Sequence, residues 1–423
     1  MSMTRFASFP RFHRDIWMLG AAGALLTGSY LGMAQLLRVI YVLRLGRGPE
    51  FVGTLFATGS LSFMLASLPG AALGRRFGSR RMLLVGGTIT VVGMATFLLT
   101  EFVPGVWRWF WPLGAEVIAS AGWSILVVNM VTSLLAVTVA ENRKSAYALR
   151  EALAGGGMFL GALLGGMLPT IFAGLLGTTT DNTVPYRYGL AVAALLGLAG
   201  LVPLFFVRPT PSAPLAPAGG TTWSSLFPLV PLLTCGFLYN AGAASCKAFA
   251  YAYMDREFLL PTFAVGAISS VGMALAVLGA LSSPGLARQR GSGFPMMVAS
   301  AGLAGSLLAM ALIRHWAAAG LGTISMFVLS SLFVPAYQVL QMEMADPEWR
   351  WLVAGAGNMG MSLGFGTMSV AGGYIAATAG YPRVFLLGAL FALSSAAAMW
   401  SILRRRRVRA AEQSPQRVAR RRL

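Results

Sequence analysis

The feature that most constrains this chain is a series of apolar stretches, each about 20 residues long, that recurs from one end to the other. A helix of that length crosses about 30 Å of hydrocarbon and pairs its own backbone polar groups, which lipid cannot do. With 57% hydrophobic and only 11% charged residues, the chain lacks the polar residues that a soluble fold of 423 residues needs at its surface. We find no short alternating strands of the kind that form membrane barrels. The sequence therefore predicts an all-α integral membrane protein.

Charged, proline and glycine residues divide the apolar stretches into twelve predicted transmembrane helices. The predicted spans are 16–42, 51–72, 82–101, 111–139, 148–172, 187–207, 226–253, 263–283, 295–313, 317–343, 352–378 and 382–403. The first stretch is too long for a signal-peptide core, which has about 7–15 residues. A proline-rich cytoplasmic linker, 208–225, separates two six-helix bundles, 1–207 and 226–403, and a basic cytoplasmic tail covers 404–423.

The net charge of +19 would suggest nucleic-acid binding in a soluble protein. Here most lysine and arginine residues cluster in alternate connections and in the tail, as the positive-inside rule expects. We therefore predict a multi-pass protein of the cell membrane, with both termini in the cytoplasm. The tail is predicted to lie near anionic lipid headgroups rather than on nucleic acid.

Cysteine and histidine usage gives no metal-binding pattern. Cys235 and Cys246 fall in one apolar segment, and His13 and His315 lie at opposite membrane edges in the predicted topology. This spacing matches neither a disulfide framework nor a zinc site. We expect no metal and no other cofactor.

The two halves share a pattern at a constant offset of 213 residues. In the first half it comprises Val52, Gly53, Leu73, Arg75, Gly78 and Ser79. The matching residues of the second half are Val265, Gly266, Leu286, Arg288, Gly291 and Ser292. Because the matches fall on equivalent helices and turns, they indicate duplication of a six-helix unit.

The connection after the second predicted span reads Leu-Gly-Arg-Arg-Phe-Gly-Ser-Arg-Arg over 73–81. It is similar to the loop between helices two and three of the major facilitator superfamily, usually written G-x-L-x-D-R-x-G-R-R. Arg75 stands where that family has an acid that helps to latch one conformation. Four positions match the family pattern: Arg76, Gly78, Arg80 and Arg81. The resemblance implies two pseudo-two-fold related six-helix bundles around a central cavity.

A second resemblance lies in the fifth predicted span, at Gly157, Gly161, Gly165 and Gly166. These residues are similar to the exporter-associated motif of the same family, G-x-x-x-G-P-x-x-G-G, with Ala162 at the proline position. Glycines at four-residue spacing also let two helices approach closely. The pattern therefore indicates close packing and favours export, and the two interpretations are compatible.

Three ionisable residues within predicted spans are functional candidates, because charge inside a bilayer is costly. They are Arg38 in the first span, Glu116 in the fourth and Lys247 in the seventh. The family resemblance implies that helices one, four, seven and ten line the cavity, which turns all three inward. A carboxylate in contact with cations stays ionised, whereas one that is desolvated and apart from them takes up a proton. Glu116 is therefore the candidate proton carrier, and snorkelling of the side chains to the outer interface is the alternative.

Uncharged residues extend the predicted cavity lining along the same helix faces and onto the tenth span. They are Gln35, Asn240, Ser120, Trp123, Gln338 and Gln341. Asn129 and Asn358 are predicted to form interhelical hydrogen bonds. Glu151 and Glu343, near cytoplasmic helix ends, fit either inner-gate ion pairs or ordinary interface charges.

The leading hypothesis is a monomeric secondary transporter that works by alternating access. We expect it to act as an antiporter that exports a small organic compound or drug in exchange for protons. One alternative is uptake or facilitated diffusion of an anionic metabolite, because Arg38 and Lys247 together outweigh Glu116 in charge. A non-transporting sensor or a membrane enzyme is the other alternative, although the sequence has no H-E-x-x-H, no G-x-S-x-G and no phosphate-binding loop.

Overall fold

The computed structural model describes residues 13–138, 143–208, 230–345 and 350–420, and these residues form helices and short connections without a strand. Twelve long helices follow one another in the described residues. They are α1 (Arg14–Arg44), α2 (Pro49–Phe77), α3 (Ser79–Phe97), α4 (Trp107–Ala136), α5 (Arg143–Leu175), α6 (Val184–Phe205), α7 (Val230–Phe258), α8 (Thr262–Arg290), α9 (Gly293–Leu312), α10 (Trp316–Met344), α11 (Arg350–Ala379) and α12 (Tyr381–Arg420).

Ten of these helices are long and apolar enough to cross a membrane, judged on the described residues. The other two are α7, which carries Lys247, Asp255 and Arg256, and α11. The predicted all-α architecture of twelve helices is confirmed. Several helices are longer than their predicted spans: α7 continues to Phe258 and α12 to Arg420. A hydropathy pattern detects only the apolar part of a helix, whereas the backbone hydrogen bonds continue into polar sequence.

The chain forms two compact units. The first comprises the described residues of Met1–Arg38 and Leu65–Leu215, and the second those of Val39–Met64 and Ala216–Leu423. Most of the predicted linker 208–225 lies outside the described residues. The division into six-helix bundles at that linker stays a prediction.

Helix packing repeats between the two halves of the sequence. In the first half, α1 packs against α5 and α6, and α3 packs against α4 and α6. In the second half, α7 packs against α11 and α12, and α9 packs against α10 and α12. Adding six to the helix numbers of each pair in the first half gives a pair of the second half. This correspondence is expected if the halves arose by duplication.

The turns at the two repeated glycines have the same backbone conformation. Gly78, between α2 and α3, has φ 88° and ψ 138°, and Gly291, between α8 and α9, has φ 90° and ψ 159°. A residue with a Cβ rarely adopts a φ in this range. Glycine at this position therefore lets two long helices join through a very short turn. The repeated sequence pattern therefore corresponds to a repeated turn.

Candidate functional site

Helix α1 contains a π-helical segment at Gly28–Ala34, in which wider backbone turns replace α-helical ones. Such segments are rare and occur frequently at functional sites. Two glycines of α5 pack against this part of α1: a Cβ on Gly157 would meet the carbonyl oxygen of Ala24, and one on Gly161 that of Gly28. The α5 glycines therefore bring the backbones of α1 and α5 into direct contact, as the packing interpretation of the sequence pattern expects.

Arg38 of α1 and Glu116 of α4 form an ion pair inside the first unit, between Arg38 Nη1 and Glu116 Oε2. The two residues are only 7% and 6% exposed. Arg38 Nε also donates a hydrogen bond of 3.2 Å to the carbonyl oxygen of Ala34, one turn earlier in α1. The guanidinium is thus satisfied by a carboxylate and by its own helix, and a pair of opposite charges costs far less in an apolar interior than either charge alone.

Tyr30 and Ser120 complete the surroundings of the Glu116 carboxylate. Glu116 Oε1 accepts hydrogen bonds from the Tyr30 hydroxyl, at 3.3 Å, and from Ser120 Oγ, at 2.9 Å. The two hydroxyl oxygens are themselves 2.9 Å apart. Each carboxylate oxygen therefore has at least one hydrogen-bond donor.

Aromatic rings cover the ion pair on one side. The Arg38 guanidinium carbon lies 4.7 Å from the centre of the Tyr30 ring, within the range of a cation–π interaction. The Tyr30 ring contacts that of Trp123, with centroids 5.1 Å apart. We call Tyr30, Arg38, Glu116, Ser120 and Trp123 the charged cluster. It joins α1 to α4 and holds one carboxylate, one guanidinium and no net charge while Glu116 is ionised.

Lys247 does not belong to the charged cluster. It lies on α7 in the second unit, partly exposed, and makes no hydrogen bond or ion pair with any residue that the structure describes. Asn240, on the same face of α7, donates a hydrogen bond of 2.6 Å to the carbonyl oxygen of Met361 in α11. Gln35 of α1 is partly exposed and also has no hydrogen-bond partner among the described residues.

Gln338 and Gln341 line a cavity of about 540 Å³ between α10 and α11 of the second unit. Gln341 is 2% exposed, and its Nε2 atom has no hydrogen-bond partner among the described residues. Asn358 lines the same cavity and is exposed, with no described hydrogen-bond partner.

Asn129 forms an interhelical hydrogen bond, as predicted: its Nδ2 donates to the carbonyl oxygen of Gly70 at 3.0 Å.

The arginines of the predicted loop motif differ in their surroundings. Arg75, Arg76 and Arg81 are exposed. Arg80 Nη2 donates a hydrogen bond of 2.5 Å to the carbonyl oxygen of Phe205, the last residue of α6. A cation at the carboxyl end of a helix offsets the partial negative charge of the last carbonyls. In the repeated turn, Arg288 is also exposed.

Glu151 and Glu343 have short local contacts. Glu151 pairs with Arg150 at 2.5 Å, and Glu343 accepts a hydrogen bond of 2.5 Å from Ser292. Arginines also stand near these helix ends at 143 and 350, and their side chains lie outside the described part of the structure. These contacts favour the interpretation of Glu151 and Glu343 as ordinary interface charges at helix ends.

Sequence reasoning missed three residues that make strong polar contacts. Tyr30 was not singled out because the spans contain many aromatic residues. Its position two helical turns before Arg38, on the same helix, was the available signal. Arg44 and Asp255 lie just beyond predicted spans, and they pair through two hydrogen bonds of 2.8 Å within the second unit. The sequence signal for this pair was an arginine just after the first predicted span and an aspartate just after the seventh.

Among the described residues, no group of three or more His, Cys, Asp and Glu side chains is placed to hold a metal ion.

Comparison with known proteins identifies the fold. The family model described as Major Facilitator Superfamily matches residues 15–359, most of the chain. No curated protein matches the sequence. Solved structures match over almost the whole chain at low sequence identity, so they show a common fold.

Three of these structures are transporters. The nucleoside transporter NupG has 14% identity and a TM-score of 0.69, covering 92% of this chain and 98% of its own. A bacterial homologue of the human lysosomal transporter Spinster has 14% identity and a TM-score of 0.69, covering 92% and 97%. The peptide transporter POT in complex with sulfate has 15% identity and a TM-score of 0.73, covering 93% and 94%.

Proposed function

The chain belongs to the major facilitator superfamily, and from that premise we propose that it exchanges a small organic solute for protons by alternating access. The solute leaves the cell, and Glu116 carries the proton. The observation that carries this proposal is the buried charged cluster, in which a carboxylate of α4 is held by a guanidinium of α1. Family membership supports a transporter rather than an enzyme.

Protonation of Glu116 changes the energy of the cluster in a defined way. While Glu116 is ionised, the pair is neutral and α1 is fastened to α4 through Arg38 and Tyr30. A proton on Glu116 removes the negative charge and leaves the Arg38 guanidinium buried without an anion, which is costly in an apolar medium. The protonated cluster is therefore driven to rearrange, which would couple proton uptake to movement of α1.

The α5 glycines support the same site. Gly157 and Gly161 contact α1 at Ala24 and Gly28, directly before Tyr30 in the sequence. Glycines at this contact let the two helix backbones approach closely. We assign export as the direction because this glycine pattern resembles that of exporters in the family.

Charge placement supports the proposed orientation of the chain in the membrane. Lysine and arginine residues concentrate in the connections that would face the cytoplasm if both termini lie there. We propose the cell membrane as the location, a monomer as the working form, and bundles at 1–207 and 226–403 as the moving parts. The loop residues Arg76, Gly78, Arg80 and Arg81 would then lie on the cytoplasmic side.

The test uses the purified full-length protein in proteoliposomes with a panel of labelled organic solutes. We expect a pH gradient to accelerate transport of at least one solute in the wild type. In Glu116→Gln, counterflow of that solute without a gradient should persist, while acceleration by the gradient is lost. The matched control is Glu151→Gln, which neutralises an exposed carboxylate. Gradient-driven transport that survives in Glu116→Gln would overturn the assignment of Glu116.

A further inference from the structure

We infer that the transported solute carries a negative charge, as a carboxylate or an organic phosphate does, and that the ammonium group of Lys247 binds it. This inference rests on the proposed transport function and names the substrate class. Lys247 lies in the second half of α7, which is almost entirely buried up to Asp255.

The burial pattern of α7 singles out Lys247. From Ala241 to Asp255 every residue is buried except Lys247, which is partly exposed. The neighbouring Cys246 is 1% exposed and Ala248 0%. Within this stretch, the one position that is not buried therefore carries a cation.

Lys247 is too far from either end of α7 to place its ammonium group there. At 1.5 Å per residue, Phe258 lies roughly 16 Å further along the helix and Val230 roughly 25 Å back. An extended lysine side chain reaches about 6 Å, so the ammonium group cannot reach either end of the helix. The charge stays at the middle part of the helix.

Three other cations of the membrane helices have acidic partners. Arg38 pairs with Glu116, Arg44 with Asp255, and Arg187 with Glu101 at 3.0 Å. Lys247 has no such partner among the described residues.

The polar neighbour on the same face of α7 does not supply a negative charge. Asn240 is a neutral amide that is already bonded to a backbone carbonyl of α11. A lone ammonium group in low-dielectric surroundings is costly, and an anion that binds there recovers that cost. Lys247 thus carries a positive charge that no acid among the described residues neutralises.

Lysine suits this role because its ammonium group is a compact charge with three donors, which accepts carboxylate or phosphate oxygens from several directions. Removing one partner of an ion pair destabilises a protein, whereas removing an unpaired and poorly solvated charge does not.

The experiment measures counterflow in proteoliposomes with labelled carboxylates, organic phosphates, amines and neutral sugars. We expect the transported solutes to be anions. Lys247→Met should raise KM for them roughly thirtyfold, the loss typical of a buried charge pair, while Lys247→Arg keeps part of the affinity. The control is Arg187→Gln, which removes a positive charge from a paired site and should leave KM unchanged.

A second measurement is thermal unfolding of the same variants without solute. Lys247→Met should unfold at the same temperature as the wild type or at a higher one. Transport restricted to cations or neutral solutes, or an unchanged KM in Lys247→Met, would overturn the inference while leaving the proton-coupled function intact. Absence of counterflow for every solute would instead refute the proposed transport function and this inference with it.

Discussion

Asp255 binds Arg44 through two parallel hydrogen bonds of 2.8 Å, from Nη1 to Oδ2 and from Nη2 to Oδ1, although the residues are 211 positions apart. The Asp255 side chain is 2% exposed and that of Arg44 19%. The next residue, Arg256, donates a hydrogen bond of 3.1 Å to the carbonyl oxygen of Leu43. Within the second unit, these contacts fasten the end of α1 to the end of α7.

Asp255→Asn should therefore destabilise the protein by about 3 kcal/mol, because it leaves the guanidinium of Arg44 without its anion. Arg44→Lys should also be destabilising, since an ammonium group cannot form the two parallel bonds. Thermal unfolding in detergent, followed by intrinsic fluorescence, measures both effects. Glu257→Gln, at an exposed position of α7, is the control and should change little. A stability of Asp255→Asn equal to that of the wild type would contradict the buried pair.

The Arg38–Glu116 pair predicts strong coupling between two substitutions. Glu116→Gln alone should cost about 3 kcal/mol, because Arg38 is left buried without its anion. The double variant Arg38→Gln, Glu116→Gln removes both charges and should recover most of that loss. A double-mutant cycle measured by thermal unfolding tests this coupling. Additive losses in the double variant would show that the two side chains do not interact.

The contact between α1 and α5 predicts a position-specific effect of adding one methyl group. Gly161→Ala would place a Cβ against the carbonyl oxygen of Gly28, so the helices must separate. We expect a loss of stability of about 2 kcal/mol and a large loss of transport. The control is Gly174→Ala in the same helix, where a Cβ has open space. That change should be neutral or slightly stabilising, because alanine favours helix more than glycine does. Equal effects of the two substitutions would refute the close contact.

The turn at Gly291 predicts a backbone effect without a packing effect. Its φ of 90° disfavours any residue with a Cβ, while a Cβ there would meet no other atom. Gly291→Ala should therefore destabilise the protein by about 1 kcal/mol. Gly285→Ala, six residues earlier in α8 and also in open space, is the control and should not destabilise. Unfolding temperatures of the two variants give the comparison directly.

The proposed exchange of one anion for one proton predicts a dependence on membrane potential. Each cycle would move a proton inward and an anion outward, which transfers two positive charges into the cell. A potential that is negative inside should therefore accelerate export, at about 2.3 kcal/mol for each charge per 100 mV. Potassium gradients with valinomycin impose this potential on proteoliposomes. Transport of an anion together with a proton would be electroneutral, and an absence of any effect of potential would favour that mode over exchange.

The sequence alone determined the helices, because membrane spans are encoded by local properties. Length and apolarity define a span, and glycine at a left-handed φ defines the turn between two spans. For the same reason, the repeated glycines Gly78 and Gly291 could be placed in matching turns from the sequence offset. Charged residues inside spans were equally visible, so Arg38, Glu116 and Lys247 stood out as candidates.

Only the tertiary structure decided which of these charges have partners. Arg38 contacts Glu116 across 78 positions, and Arg44 contacts Asp255 across 211. Lys247, of similar appearance in the sequence, meets no acid among the described residues. The physical reason is that pairing depends on how helices pack and rotate against each other, and this is set by contacts distributed along their whole length rather than by the few residues around each charge.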